Sequence, residues 1–251
     1  MQRSAPWYHS SVTSPEDSPG TLWIVATPIG SLGDLAPRAV EVLEQVDVIL
    51  AEDTRRARAL LAHFNVAAAG RLRSLHEHNE SRQVPELVER LEGGSSIALM
   101  SDAGTPVLSD PGYRLVCAAR QAELPVASVP GASSFTAALA AAGQPPLPAL
   151  LCGFLPPRRG PRCRRIAELA NHPWTTVVLL SPHRLRAELE DLAEGLGADR
   201  PATLLAELSK RFERARIGRP PGLPVGSMGR VLSPGRLRSL LRLAASDPRR
   251  P

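Results

Sequence analysis

Aromatic residues are scarce, at 4% of the 251-residue chain, so any core must be built mainly from Ala, Val and Leu. Lysine is rarer still: Lys210 is the only one, and arginine carries the remaining positive charge. With 25 prolines and abundant alanine, that bias points to a GC-rich genome rather than to a mechanism. The three cysteines, Cys117, Cys152 and Cys163, are odd in number and form no CxxC pair. They read as free thiols in a reducing, cytoplasmic compartment. No apolar run reaches the roughly 18 residues of a membrane span. The N-terminal stretch has no apolar signal core, so neither a membrane partner nor secretion is expected. Acidic residues nearly vanish after Glu213, where nine Arg and one Asp give a segment charge of +8. The formal charge of the whole chain is +5, so the remainder carries −3. The basicity belongs to the tail, and bulk charge is weak evidence for nucleic-acid binding by the body.

What is present is a regular alternation. Residues 1–20 are polar and rich in Ser and Pro, and are expected to form a disordered extension. Thr21–Ala26 is a first buried strand, followed by a loop of small residues, Thr27–Asp34, and an amphipathic helix over Pro37–Val46. The loop is neither a dinucleotide nor a P-loop fingerprint. Asp47–Ala51 is a second strand, ending in Glu52-Asp53-Thr54-Arg55-Arg56, where Asp53 or Thr54 can cap a helix Arg55–Phe64. A short strand, Arg71–Leu75, leads to His76-Glu77-His78 and a helix Ser81–Glu92. The two histidines could share a face as metal ligands, but no third ligand stands at suitable spacing, and no metal is expected.

The organising stretch is Ala98–Gly112, ALMSDAGTPVLSDPG. A buried strand, Ile97–Met100, runs into small residues around Asp102, and Pro111 is well placed to open a helix running to Ala122. Pro125–Val129 ends in another small, hydroxyl-bearing loop, Pro130–Ser134. The ends of the first, fourth and fifth strands therefore all suit a ligand lying against main chain, as open α/β sheets bind ligands. Strands alternating with helices argue a parallel sheet. Beyond Ala142 a second series begins: a strand Ala149–Phe154, an Arg-rich stretch Pro157–Arg165 read as a loop, a helix Arg165–Asn171, and a strand Thr175–Leu180. Ser181-Pro182-His183-Arg184 reads as a helix start with basic residues that suit a phosphate partner. A strand at Ala202–Ala206 precedes Glu207-Leu208-Ser209-Lys210. After Glu213 periodicity collapses, no further strand pair is legible, and only Arg236–Ala245 has a helical pattern.

The segments VATPIGSLGDL, AEDTRR, SLHEHNE, SDAGTPVLSDPGYRLV, VPGASS, GFLPPR, SPHRL and ELSKRFE occur in this order. Together they resemble the bacterial small-subunit rRNA (cytidine-2′-O)-methyltransferases of the tetrapyrrole methylase superfamily, over roughly residues 21–213. The resemblance implies two α/β domains, with a parallel sheet in the first and a mixed sheet in the second. It implies a homodimer, and S-adenosylmethionine in a cleft between the domains. The implied substrate is a cytidine ribose of 16S rRNA in the decoding region of the 30S subunit. The corresponding domains are 21–130 and 131–213, with an atypical Arg/Pro/Gly-rich tail at 214–251. Carried over residue by residue, the cofactor would touch Pro28, Met100, Ser101, Asp102, Thr105, Ser133, Ser134, Leu180 and Leu208. The departures are Ser31, Ala132, Leu180 and Ala206, where the family usually has Asn, Pro, Glu and Arg, and the missing last strands. A frameshifted reading of GC-rich DNA would produce such a tail.

Methyl transfer to a hydroxyl needs in-line positioning and, for the departing proton, a base. Candidate bases are Asp53, Glu52 and His76, with Glu77 and His78 beside them; Asp53 is favoured because it directly follows a strand. Arg55, Arg56, Arg158, Arg159, His183, Arg184 and Lys210 are candidates for rRNA phosphates. Two other readings stay open: a methylase of the same superfamily with another substrate, and a non-catalytic cofactor- or RNA-binding protein.

Overall fold

The computed structural model describes residues 18–220 and 241–245. The first four short apolar runs become β1 (Leu22–Val25), β2 (Val48–Ala51), β3 (Leu72–Ser74) and β4 (Ile97–Met100), and a fifth becomes β5 (Val126–Val129). All pair in parallel, in the order β3-β2-β4-β1-β5. β2 and β4 are buried along their whole length, as strands covered on both faces must be. The crossover helices are α1 (Pro37–Gln45), α2 (Thr54–His63), α3 (Glu77–Glu92) and α4 (Tyr113–Gln121). α3 starts four residues before the expected Ser81, because the Asn79 side chain accepts from the His76 N–H and supports an earlier turn.

Pro111 does not open α4. Gly112 precedes that helix with φ of 115°, and a Cβ there would lie 2.2 Å from Leu99 Cδ2. The first amides of α4, those of Arg114 and Leu115, donate instead to the buried carboxylate of Glu80 on α3.

The second sheet is mixed. β6 (Ala149–Phe154) and β7 (Thr175–Leu180) are parallel, while β8 (Ala202–Ala206), β9 (Arg214–Gly218) and β10 (Leu241–Ala245) run antiparallel to their neighbours. The order is β6-β7-β10-β8-β9. Thus the strand pair that the sequence hides is present. β9 lies on the edge, and β10 sits between β7 and β8 where a helix was expected over Arg236–Ala245. Two flanking ladders impose extended backbone on a segment whose Leu, Arg and Ala favour helix locally. Residues 1–17, the rest of that expected helix (236–240) and the end of the tail lie outside the described residues.

The helices of this half are α5 (Ser134–Ala141), α6 (Arg159–Ala170) and α7 (Leu185–Leu196). The Arg-rich stretch read as a loop is the first half of α6. It folds because Arg162, 4% exposed, turns inward and its Nε meets Asp191 Oδ2 at 2.5 Å. Pro182 likewise lies before α7 rather than in its first turn.

The chain divides into two compact units. One takes residues 18–25, Pro37–Asp102 and Asp110–Val129. The other takes Ala26–Ala36, Ala103–Ser109 and the described residues from Pro130 onward. In the second, one apolar cluster, including Leu155, Ile166, Leu180 and Leu192, lies under α6 and α7. Another, including Ala138, Val177, Leu205 and Leu208, lies under α5 and takes in Ile29. Among the described residues no helix is long and apolar enough to cross a membrane.

Candidate functional site

In the first unit, the carboxyl ends of the neighbouring strands β2 and β4 bring acidic and basic side chains together. Asp102 Oδ1 accepts from the Asp53 amide at 3.2 Å, and its Oδ2 accepts from Arg56 Nη1 at 3.0 Å. The aspartate at the centre of the SDAGTP motif is therefore fixed in orientation by the end of the adjacent strand. Asp53 caps α2, accepting from the Arg55 amide at 2.9 Å. That backbone hydrogen bond holds its carboxyl below the usual range, opposed by desolvation and aided by the Arg55 charge. Such a carboxylate suits a fixed anion better than a proton acceptor. Glu52 is exposed beside it, and Arg55 points outward with a side chain 87% exposed. Met100 and Ser101 are buried, at 2% and 4% exposure. His76 is half-buried at the start of α3, its ring 6.0 Å from that of His78.

Asp110 belongs to the same group and was not singled out from the sequence, where SDPG reads as a turn. It is half-buried, and that burial, with the like charges of Glu52 and Asp102, pushes its carboxyl up to about 7. The Ser101 side chain hydrogen-bonds it and works the other way. The signal available in the sequence was its place eight residues after Asp102 within one motif.

The second unit gathers three loops of small residues. Thr27 and Gly104 exchange backbone hydrogen bonds of 2.9 and 3.0 Å, joining the segment after β1 to the central motif. Gly104 has φ of +89°, and a Cβ on it would meet Ile29 Cγ2 at 3.3 Å and the Ala132 carbonyl at 3.7 Å. A Cβ on Gly131 would meet that of Ala26 at 3.1 Å. Pro28, Thr105, Ser133 and Ser134 are half-buried around this contact, Ser133 preceding α5 and Ser134 opening it.

The same first loop clasps the Glu207–Lys210 turn. The Ser31 amide donates to Ser209 Oγ at 3.3 Å, Ser209 Oγ donates to Asp34, and the Ser209 amide donates to Glu213 Oε2 at 2.6 Å. Glu207 and Ser209 both hold positive φ, 55° and 64°, a conformation that the surrounding contacts must stabilise. Leu208 is buried, 7% exposed, in the α5 cluster. Leu180 is fully buried in the α6/α7 cluster, so a ligand would meet its main chain rather than its side chain.

The basic residues separate into two sets. Arg159 reaches Asp191 at 3.0 Å and Glu194 at 2.7 Å; Arg184 reaches the buried Glu188 at 3.0 Å; Lys210 reaches Glu207 at 3.7 Å. Glu188 also accepts from the Ser181 amide at 2.8 Å, so the first turn of α7 already has an anion. Arg158 and His183 are exposed. Among the described residues no three His, Cys, Asp or Glu side chains stand close enough to hold a metal ion.

The family description Tetrapyrrole (Corrin/Porphyrin) Methylases matches residues 21–221. The chain belongs to this family. It is 48% identical over 201 residues to the ribosomal RNA small subunit methyltransferase I of Xylella fastidiosa, covering 80% of this chain and 73% of that protein. It is 44% identical over 199 residues to the enzyme of the same name from Pseudomonas aeruginosa, covering 79% and 70%. Among solved structures, uroporphyrin-III-C-methyltransferase from Thermus thermophilus is 25% identical at a TM-score of 0.58, covering 90% of this chain and 94% of that one. Diphthine synthase, 15% identical, shares the fold at a TM-score of 0.67, covering 90% of each chain.

As a tetrapyrrole methylase the chain is a methyltransferase, and S-adenosylmethionine is the cofactor its membership implies. The residues present fit that group. Asp102 is an oriented carboxylate acceptor for a ligand hydroxyl or ammonium, while Gly30, Gly104 and Gly131 let the loops of the second unit pack closely on one another.

Proposed function

We propose that this methylase transfers a methyl group to the 2′-hydroxyl of a cytidine in 16S rRNA, within the decoding region of the 30S subunit. It would act as a cytoplasmic homodimer. The observation that carries the reading is the extended identity, 43–48%, to proteins named ribosomal RNA small subunit methyltransferase I. The family match, residues 21–221, spans every segment that forms the strand-end loops.

S-adenosylmethionine, when bound, supplies an activated methyl on a sulfonium. The chain's residues then bind, orient and shield. Pro28, Met100, Ser101, Asp102, Thr105, Ser133, Ser134, Leu180 and Leu208 are the proposed cofactor contacts, several through main chain. Asp102 is held ready by Arg56 and the Asp53 amide, so little reorganisation accompanies binding. For rRNA phosphates, Arg158 and His183 are exposed and suited, and Arg55, although 3.5 Å from Asp53, keeps 87% of its side chain exposed. Arg56, Arg159, Arg184 and Lys210 already have carboxylate partners, which favours a scaffolding contribution from them.

The test is incubation of the purified chain with labelled S-adenosylmethionine and 30S particles from cells lacking this modification, followed by nucleoside mass analysis. A 2′-O-methylcytidine from the decoding region is the expected product. Cofactor binding with no label in rRNA would overturn the substrate while leaving the family standing.

A further inference from the structure

We propose that the segment joining β8 to β9 is an RNA-docking arm: Phe212 stacks on an unpaired base, and Arg211 and Arg216 take phosphates beside it. The inference rests on the rRNA substrate proposed above and names a surface that meets it.

The arm is built from two consecutive turns. The Lys210 amide donates to the Glu207 carbonyl at 2.9 Å, and the Glu213 amide donates to the Lys210 carbonyl at 3.1 Å. Leu208 and Ser209 are the corners of the first turn, and Leu208 is buried in the α5 cluster. Arg211 and Phe212 are the corners of the second. Turn corners ordinarily take Gly, Pro, Asn, Asp or Ser, whose backbone or short polar side chain favours the bend. Here they hold an arginine and one of only four phenylalanines in the chain. Phe212 is 46% exposed, and the Arg211 guanidinium carbon lies 5.5 Å from the centroid of its ring. A turn closed by main-chain bonds gains nothing for its own folding from a phenyl group at the tip.

The charge around that ring is one-sided. Residues 210–219 contain Lys210, Arg211, Arg214, Arg216 and Arg219 against the single acid Glu213. Glu213 already accepts from the Ser209 amide at 2.6 Å, Lys210 reaches Glu207 at 3.7 Å, and Arg219 reaches Asp199 at 2.9 Å. Arg211 and Arg216 are exposed and, among the described residues, have no carboxylate partner. Arg216 donates to the neighbouring Ala215 carbonyl at 3.0 Å. It stands on β9, the edge strand, two residues from the end of the turn. Guanidiniums without counter-charges around an exposed aromatic ring match single-stranded RNA, whose bases stack on aromatic faces while its phosphates meet arginine.

Strand direction places the arm with the other exposed basic residues of this unit. β10 runs antiparallel to both β7 and β8, and β6 is parallel to β7, so β6, β7 and β8 all end at one edge of the sheet. Arg158 follows β6 there and His183 follows β7, both exposed. With β10 between them, β7 and β8 lie about 10 Å apart. An RNA strand along this edge meets cations after each of the three strands, and the stacking ring at its far end. Leu180 ends β7 and Leu208 follows β8, so the arm brings RNA to the edge that carries two of the proposed cofactor contacts.

The test is fluorescence anisotropy of a labelled single-stranded RNA copied from the decoding region, titrated with the full chain across a salt series. Phe212→Leu, which keeps apolar bulk, is expected to bind about 5- to 100-fold more weakly, and Phe212→Tyr within about 2-fold of the unaltered chain. Combining Arg211→Gln with Arg216→Gln should flatten the slope of log affinity against log salt by about 1.4, which is about 0.7 for each phosphate contact. S-adenosylmethionine titrated into the same variants should bind as it does to the unaltered chain, which shows that the fold is kept. Undiminished RNA affinity in Phe212→Leu overturns the proposal, as does a duplex of the same sequence bound as tightly as the single strand. An unchanged salt slope in the double variant overturns it too; self-association of that variant would then assign the arginines to guarding an edge strand. Methyl transfer to 30S particles judges the substrate separately. Unmodified rRNA, with the RNA affinities behaving as expected, removes the substrate and leaves the arm. An unchanged kcat/KM for 30S particles in Phe212→Leu removes the arm and leaves the substrate.

Discussion

Arg56 Nη1 lies 3.0 Å from Asp102 Oδ2, joining the first turn of α2 to the end of β4. The contact gives an arginine of the AEDTRR segment work at the proposed cofactor aspartate. Arg56→Ala is expected to weaken S-adenosylmethionine binding about 3- to 10-fold, the range of a part-exposed ion pair. Arg55→Ala, whose side chain is 87% exposed, should leave cofactor affinity within about 2-fold. Calorimetric titration of both variants checks the contrast; equal losses would remove the distinction.

A methyl group on Gly30 would lie 2.5 Å from Lys210 Cγ and 2.7 Å from the Leu208 carbonyl oxygen. The lysine stem can swing away, but the carbonyl belongs to a turn held by two positive-φ residues. Gly30→Ala is expected to lose about 1–3 kcal/mol of stability and to weaken cofactor binding. Urea unfolding and ligand titration on one preparation test both.

Asp110 makes stability depend on pH in a definite direction. Its carboxyl ionises near 3.8 when unfolded and at about 7 when folded. Between those values the native state binds a proton that the unfolded state has released, so stability falls as pH rises through the window. Asp110→Asn removes that loss and should stabilise the protein at pH 8 by about 1–2 kcal/mol, after allowance for solvent access, while changing little at pH 4. Unfolding midpoints of both proteins across pH 4–8 decide it; a variant less stable at pH 8 than at pH 4 would contradict the assignment.

Asp191 holds Arg162 inside the second unit. Arg162 is 4% exposed and Asp191 5%. Asp191→Asn leaves a buried guanidinium without its counter-charge and should cost about 3–5 kcal/mol. Glu194→Gln, at the outer end of the same network on Arg159, should cost less than about 1 kcal/mol. Thermal unfolding of the two variants gives the comparison.

The parallel sheet was legible because apolar runs of four to six residues, punctuated by Gly, Pro and Asp, leave little choice of element. β4, β7 and β8 fall on the residues expected. α6 was not legible, since hydrophobic periodicity cannot register a core position filled by Arg162 and neutralised by an aspartate 29 residues away. β9 is an exposed edge strand without alternation, and β10 is extended because of its neighbours rather than its own preference. The strand-end loops were legible as loops through their small residues. The opposite directions of proton affinity at Asp53 and Asp110 were not, because they depend on which carboxylate caps a helix and which is buried near like charges.

The interleaving of the two units has a hereditary consequence. The second unit owns Ala26–Ala36 and Ala103–Ser109, which are encoded inside the first. A gene fragment starting at Pro130 would thus specify a body without two of its own loops. Recombination that joined the first 129 residues of one relative to the remainder of another would mix two lineages within a single unit. An exchange that kept each unit whole would have to carry Ala26–Ala36 and Ala103–Ser109 along with the stretch from Pro130.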